Sequence, residues 1–358
     1  MGKNTFFFIP DISGFTKFIN ETEISHSQHI IQEMLELLVD SNSIGLTVSE
    51  FEGDAIFFYR NGASPQANEL AEQARKMFVN FHSLIKKYET HRLCQCRACK
   101  SANQLTLKFI AHYGEANSYT VKEHSKLIGK DVILVHRLLK NSVNYNEYLL
   151  LSEALLNASG STESISWFKL ESGADSYDEI GNVNYKYSSL TPLLKEVTIE
   201  PVEEIRIENP VKIFECEELI NAPMEDIFAV LIDIPARSKW MANVKEVIVH
   251  DKMPNHTGTV HKCITGGDDQ ELFTGGVKVT DKTMEFTETS IKKIYSCRYY
   301  LEETEPGKTL VKVEAYIKKS IILKLMMKLF MLKKIKSVFL KSAANLKTYC
   351  EKNKGMIK

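Results

Sequence analysis

Two aspartates define the chemistry this sequence can attempt. Asp11 follows a short apolar run, Thr5 to Ile9, after Pro10, and Asp54 lies in Glu52-Gly53-Asp54 between two further apolar runs. Carboxylates are hard oxygen ligands suited to Mg2+ or Mn2+, ions that usually keep coordination places for phosphate oxygens. Two such ions together activate a hydroxyl and neutralise a departing phosphate group. Each residue also has a plainer reading, Asp11 as the cap of the following helix and Asp54 as a turn former. Placed side by side, they favour metal.

A second cluster is His91-Arg-Leu-Cys94-Gln-Cys96-Arg-Ala-Cys99, three thiols and an imidazole within nine residues. Structural Zn2+ takes four N or S ligands, and Cys3His is a standard set. His112 or a residue of a second chain could replace His91 as the fourth ligand, and a reduced thiol loop is the competing reading. Metal here would brace the first domain and take no part in catalysis.

The elements that must position Asp11 and Asp54 are legible from periodicity. Thr5 to Ile9 reads as a strand, and Ile30, Ile31, Met34, Leu35, Leu37 and Leu38 recur at helical spacing. Ile44 to Phe51 and Ala55 to Tyr59 read as a hairpin, Ala67 to Tyr88 as an amphipathic helix, and Leu105 to Ala111 as a strand. Val132 to Leu139 reads as a helix, with strands at Tyr148 to Leu151 and Ile180 to Tyr187. Strand-helix-strand-strand-helix-strand is the ferredoxin-like order, which brings the end of the first strand beside the hairpin.

These motifs resemble the catalytic domain of class III nucleotidyl cyclases over residues 4–192. Phe8-Ile-Pro-Asp-Ile-Ser-Gly-Phe-Thr16 and Glu50-Phe-Glu-Gly-Asp-Ala-Ile-Phe-Phe58 look like the two metal-binding signatures. Ile110-Ala-His-Tyr-Gly-Glu115 and Gly129-Lys-Asp-Val-Ile-Leu-Val-His-Arg-Leu138 are similar to the later strand and transition-state helix. The resemblance implies metal ligands Asp11, Asp54 and the Ile12 carbonyl, base contacts from Glu50 and Lys126, and a phosphate contact from Arg137. It also implies a purine nucleoside triphosphate as substrate and a homodimer, with sites built between two copies.

The departures are specific. Glu50 is the guanylyl-type residue, Lys126 matches neither class, Ile133 stands where the family has Asn, and Pro10 removes a donor from a strand that is usually internal. The function expected is metal-dependent purine nucleotide binding with cyclisation of GTP or ATP. The alternative is an inactive scaffold of cyclase fold whose C-terminal cavity holds a lipid or hydrophobic metabolite.

Residues 193–210, acidic and punctuated by prolines, read as a linker. From there to residue 354, strand, short helix, several strands and a long final helix suggest a helix-grip domain. Phe214-Glu-Cys-Glu-Glu-Leu-Ile-Asn-Ala-Pro-Met-Glu-Asp-Ile-Phe-Ala-Val230 resembles the opening of START-like domains, and Trp240 falls where that superfamily places its Trp. The fold class is therefore α+β in both halves, with a small hydrophobic molecule as the ligand implied for the second and Trp240 lining its cavity. His261 and Asp268 supply no clear acid/base pair and read equally well as surface residues.

Composition limits the remaining options. The 358 residues are 44% hydrophobic and 25% charged, those of an ordinary globular protein, and the net charge is -1. The opening residues suggest neither a secretory signal nor myristoylation, and the run Ile321 to Leu332 is short and broken by Lys324 and Lys328. Seven cysteines, three of them crowded together, suit a reducing, cytoplasmic setting. From Lys318 onward twelve lysines face one acid, Glu351. That basic helix admits peripheral membrane contact, while its apolar stripe suits a packing face. Nucleic-acid binding is not expected, because stacking aromatics and a recognisable motif are missing.

Overall fold

Phe6, Phe7, Phe8 and Ile9 are all fully buried, so the first strand is covered on both faces and lies inside a sheet. The computed structural model describes residues 2–22, 24–94, 97–159, 166–199, 201–249, 256–265, 269–321, 325 and 332–353. Two compact units divide the chain: Met1–Glu89 with Lys100–Ile199, and Thr90–Cys99 with Glu200–Lys358.

In unit 1, β1 (Lys3–Ser13) leads through α1 (Phe15–Glu21) and α2 (Ile24–Asp40) to the hairpin of β2 (Thr47–Glu52) and β3 (Ala55–Asn61). Then α3 (Ala67–Thr90), α4 (Arg97–Ser101), whose first three residues are counted in unit 2, and β4 (Thr106–Val121) follow. After these come β5 (His124–Ile128), α5 (Lys130–Arg137), β6 (Tyr148–Ser152), α6 (Glu153–Ser159), β7 (Glu171–Tyr177) and β8 (Gly181–Ser189). The sheet order is β2-β3-β1-β4-β6-β8-β7, with β5 paired to β4. One face packs Phe7, Ile9, Phe57 and Ile110 against Val135 and Leu138. Burying each such side chain contributes about 1.5–3 kcal/mol.

Pro10 does sit in this internal strand. Pairing of β1 with β3 runs from Thr5 to Phe8 and resumes at Asp11, so the missing N–H falls where that ladder is interrupted. The strand expected at Leu105 to Ala111 continues ten residues further, because its alternating tail pairs with β5 from Asn117 to Val121.

Unit 2 begins with β9 (Pro210–Ile220) and α7 (Met224–Ile232), followed by β10 (Glu246–Val249), β11 (Val260–Ile264) and β12 (Gln270–Val279). Next are β13 (Thr283–Ser290), β14 (Tyr295–Glu305), β15 (Lys308–Lys318) and α8 (Leu332–Lys352). Among the described residues its seven strands form one antiparallel sheet, β10-β11-β12-β13-β14-β15-β9. Leu346 and Cys350 of α8 are buried, Phe339 meets Phe214 edge-on, and Lys347 pairs with Glu218. Within α8, Leu346 and Cys350 thus form a packing face, while Leu340 is 55% exposed and, of the run Ile321 to Leu332, residues 322–324 and 326–331 lie outside the described residues. No helix among the described residues is long and apolar enough to cross a membrane.

The cysteine segment departs from expectation. Thr90–Cys99 groups with unit 2 and not with the first domain. Thr257 donates its N–H to the His91 carbonyl at 2.6 Å, and Arg92 bridges His256 as an isolated β pair. Backbone pairing between distant stretches of chain outweighs sequence adjacency here.

Candidate functional site

At the end of β1, Asp11 is in register with Ala55 of β3 and Lys108 of β4. The Ile12 N–H donates to the Asp54 carbonyl at 3.0 Å, tying the strand end to the hairpin turn. The two aspartates are electrostatic neighbours. Burial pushes the Asp54 carboxyl above its ordinary range, and the Asp11 charge pushes it the same way. Its own backbone hydrogen bond and Lys108 oppose the shift without cancelling it. A carboxylate pair whose mutual repulsion is incompletely relieved is suited to a divalent cation.

Lys108 is the residue the sequence reading passed over. Its ammonium lies 3.2 Å from Asp11 Oδ2, both side chains being largely buried. The available signal was a single lysine inside the otherwise uncharged run Leu105 to Ala111. Among the described residues no group of three His, Cys, Asp or Glu side chains could hold a metal.

Glu50 and Lys126, drawn from β2 and β5, meet directly: Lys126 Nζ donates to Glu50 Oε2 at 2.9 Å on the surface. The Glu50 carboxylate raises the Lys126 ammonium above its usual value. One acceptor and one donor thus stand together beside the hairpin.

Beyond the hairpin lies α5. Its residues Val132, Ile133, His136 and Arg137, with Lys140, line an open surface pocket. Ile133, at the position where Asn was expected, is 57% exposed. Arg137 is exposed and makes no ion pair among the described residues. His136 faces two acceptors, the Val132 carbonyl from Nδ1 and Glu52 Oε1 from Nε2, each at 2.7 Å. Only an imidazolium donates to both. The Glu52 hydrogen bond accordingly raises its pKa against the opposing effect of burial. Sequence spacing gave no sign of this pair.

The other sequence candidates are dispersed. Cys94 and Cys99 are buried, and Cys96 lies outside the described residues. Trp240 is buried in unit 2 and its carbonyl accepts from Asn345. His261 is not a surface residue: it is fully buried beside Arg237 and Glu288. Asp268 lies outside the described residues.

Solved structures similar to this chain over about half its length are nucleotidyl cyclase catalytic domains. The guanylyl cyclase Cya2 is 15% identical, with a TM-score of 0.39, over 52% of this chain and 94% of that one. The adenylyl cyclase CyaB from P. aeruginosa is 17% identical, with a TM-score of 0.34, over 53% and 95%. At the sequence level, a family model described as "Protein of unknown function (DUF2652)" matches residues 31–148. An uncharacterized protein of Mycobacterium tuberculosis, Rv2561/Rv2562, is 33% identical over 123 residues, which is 34% of this chain. The matched stretch spans 57% of that relative.

Proposed function

We propose that unit 1 binds a purine nucleoside triphosphate with Mg2+ or Mn2+ and cyclises it to the 3′,5′-cyclic nucleotide. The observation that carries this reading is the adjacency of Asp11 and Asp54, with the Asp54 carboxyl raised by burial and by Asp11. Ions bound by Asp11, Asp54 and the Ile12 carbonyl would neutralise triphosphate charge and acidify the ribose 3′-hydroxyl. The 3′-hydroxyl proton passes to water, and the 3′-oxygen bonds to the α-phosphorus as the bond to the bridging oxygen breaks and pyrophosphate leaves. Arg137 steadies the phosphates across a homodimer interface, where exposed Phe51, Tyr119, Val121 and Ile128 supply apolar surface.

Guanine is the favoured base. Its N1–H and N2–H donate to the Glu50 carboxylate while Lys126 donates to O6, so the whole polar edge is met. Adenine offers one donor and one acceptor and leaves a carboxylate oxygen unmatched.

A second reading is an inactive cyclase-fold scaffold with a hydrophobic ligand in unit 2, and two observations favour its inactivity. Lys108 already forms an ion pair with Asp11, and Ile133 offers no hydrogen bond to a transition state. The deciding experiment incubates purified protein with Mn2+ and GTP or ATP and detects cyclic nucleotide by mass spectrometry. Product absent from Asp54→Asn supports the cyclase; bound nucleotide without product supports the scaffold.

A further inference from the structure

Behind the exposed site runs a buried chain of hydrogen bonds from β6 through β4 to α5. Ser152 Oγ lies 2.7 Å from His112 Nδ1, and His112 Nε2 lies 3.2 Å from Asp131 Oδ1. The second carboxylate oxygen, Oδ2, accepts the Glu115 N–H at 2.8 Å. Because an ionised carboxylate only accepts, the proton of the imidazole sits on Nε2. In the neutral ring Nδ1 then accepts from the Ser152 hydroxyl. Ser152 Oγ in turn accepts the Leu155 N–H at 3.3 Å, so the serine is committed to the start of α6. Both His112 and Ser152 are fully buried, so this Ser-His-Asp row has no access to substrate and is not a nucleophilic triad.

Its geometry serves another purpose. Asp131 is in the first turn of α5, and Gly114 lies directly beneath it. A Cβ on Gly114 would stand 2.3 Å from the Asp131 Cγ, and one on Gly129 would stand 2.9 Å from the Glu115 carbonyl oxygen. Two glycines thus clear the ground for the helix to dock on β4. Phe7 stacks on the His112 ring at 6.0 Å and holds its plane. At the opposite end of α5, His136 is fastened to Glu52. The helix is pinned at both ends, and Arg137 is its last residue.

We infer that His112 and Asp131 are positioning residues that fix α5 on β4 and thereby aim the Arg137 guanidinium at the nucleotide phosphates. The inference rests on the nucleotide reading of the same unit, and the experiment separates the two. Asp131→Ala, Arg137→Ala and the double variant are assayed with Mn2+ and GTP. Removing a positioned charge aimed at a transition state costs on the order of 10–100-fold in kcat, with KM for GTP nearly unchanged. In the Arg137→Ala background the Asp131 change should cost less than about 2-fold, since the two act through one group. Losses that multiply independently would overturn the inference. Asp131→Asn, which keeps an acceptor, should recover part of the rate and guards against a misfolded alanine variant.

Amide exchange decides the matter without any activity. Protection across residues 130–137 should drop in Asp131→Ala while the rest of unit 1 is unchanged. Unchanged protection overturns the pinning. A wild-type protein that neither binds GTP nor makes product overturns the nucleotide reading alone.

Discussion

The two units handle charge in opposite ways. In unit 1, Asp11, Asp54, Glu50, Lys126 and His136 gather at a strand end and a hairpin, partly exposed, with the Asp11–Asp54 repulsion left standing. In unit 2, Arg237, Glu288 and His261 meet inside the core, with the Arg237 and Glu288 side chains 1% and 2% exposed. Arg237 pairs with Glu288, donates to the Leu231 carbonyl at 2.9 Å and lies 3.2 Å from His261 Nε2. Burial holds His261 neutral, its pKa lowered to about 4 despite the nearby Glu288. Reactive surroundings need unbalanced charge that a ligand can balance. A core needs charge that is already balanced.

The comparison breaks most easily in unit 2. Arg237→Ala or Glu288→Gln leaves a buried charge alone and should cost about 3–5 kcal/mol, read by urea denaturation. Replacing both, Arg237→Met with Glu288→Leu, should cost much less than either single change. If each single change is as mild as the double, the pair is not the enclosed unit described.

In unit 1 the order of effects reverses. Asp11→Asn and Asp54→Asn should each lower cyclic nucleotide production by about 100-fold or more, the loss of several kcal/mol of charge stabilisation. Thermal unfolding of Asp54→Asn should stay level or rise by about 1–3 °C, because a repulsion disappears with the charge. A smaller change is expected at Glu50. Glu50→Ala should reduce the preference for GTP over ATP about 10-fold, measured as a ratio of kcat/KM, since the guanine donors lose their acceptor.

The pH dependence is the finest test. His136 has a raised pKa in the folded state, so its contribution is complete below about 6.5 and is lost as pH rises through the folded value. The melting-temperature difference between wild type and His136→Gln should therefore be largest near pH 6 and shrink on the alkaline side. Asp54, also raised, shifts stability with pH in the same direction. The folded state holds its proton more tightly, so wild type gains on Asp54→Asn as pH falls through the folded value toward the ordinary carboxylate range.

How much of this the sequence disclosed follows from physical range. The Asp11 and Asp54 adjacency was legible because strand-helix-strand order and a short turn fix it locally. The Glu50–Lys126 contact was half legible: each residue was singled out, while their pairing depends on the extension of β4 into the β5 hairpin. The Ser152–His112–Asp131 row spans three elements, and no periodicity reports which side chains meet across a sheet. Arg237 gave the least warning. Within Pro-Ala-Arg-Ser-Lys it reads as one more surface cation, and its burial depends on Glu288, fifty-one residues away, arriving opposite it. Lys108 was visible as a lone charge in an otherwise uncharged run, a pattern that asks for a partner.

The grouping of Thr90–Cys99 with Glu200–Lys358 has a consequence for how the chain is made. Those residues leave the ribosome roughly a hundred positions before Glu200 appears, so they wait, unmatched, while unit 1 is still being synthesised around them. A truncated gene product starting at Glu200 would lack the His91 carbonyl that Thr257 uses and the Arg92 strand partner of His256. The two halves are interleaved in translation order, and a simple end-to-end cut at the acidic linker does not yield two whole parts.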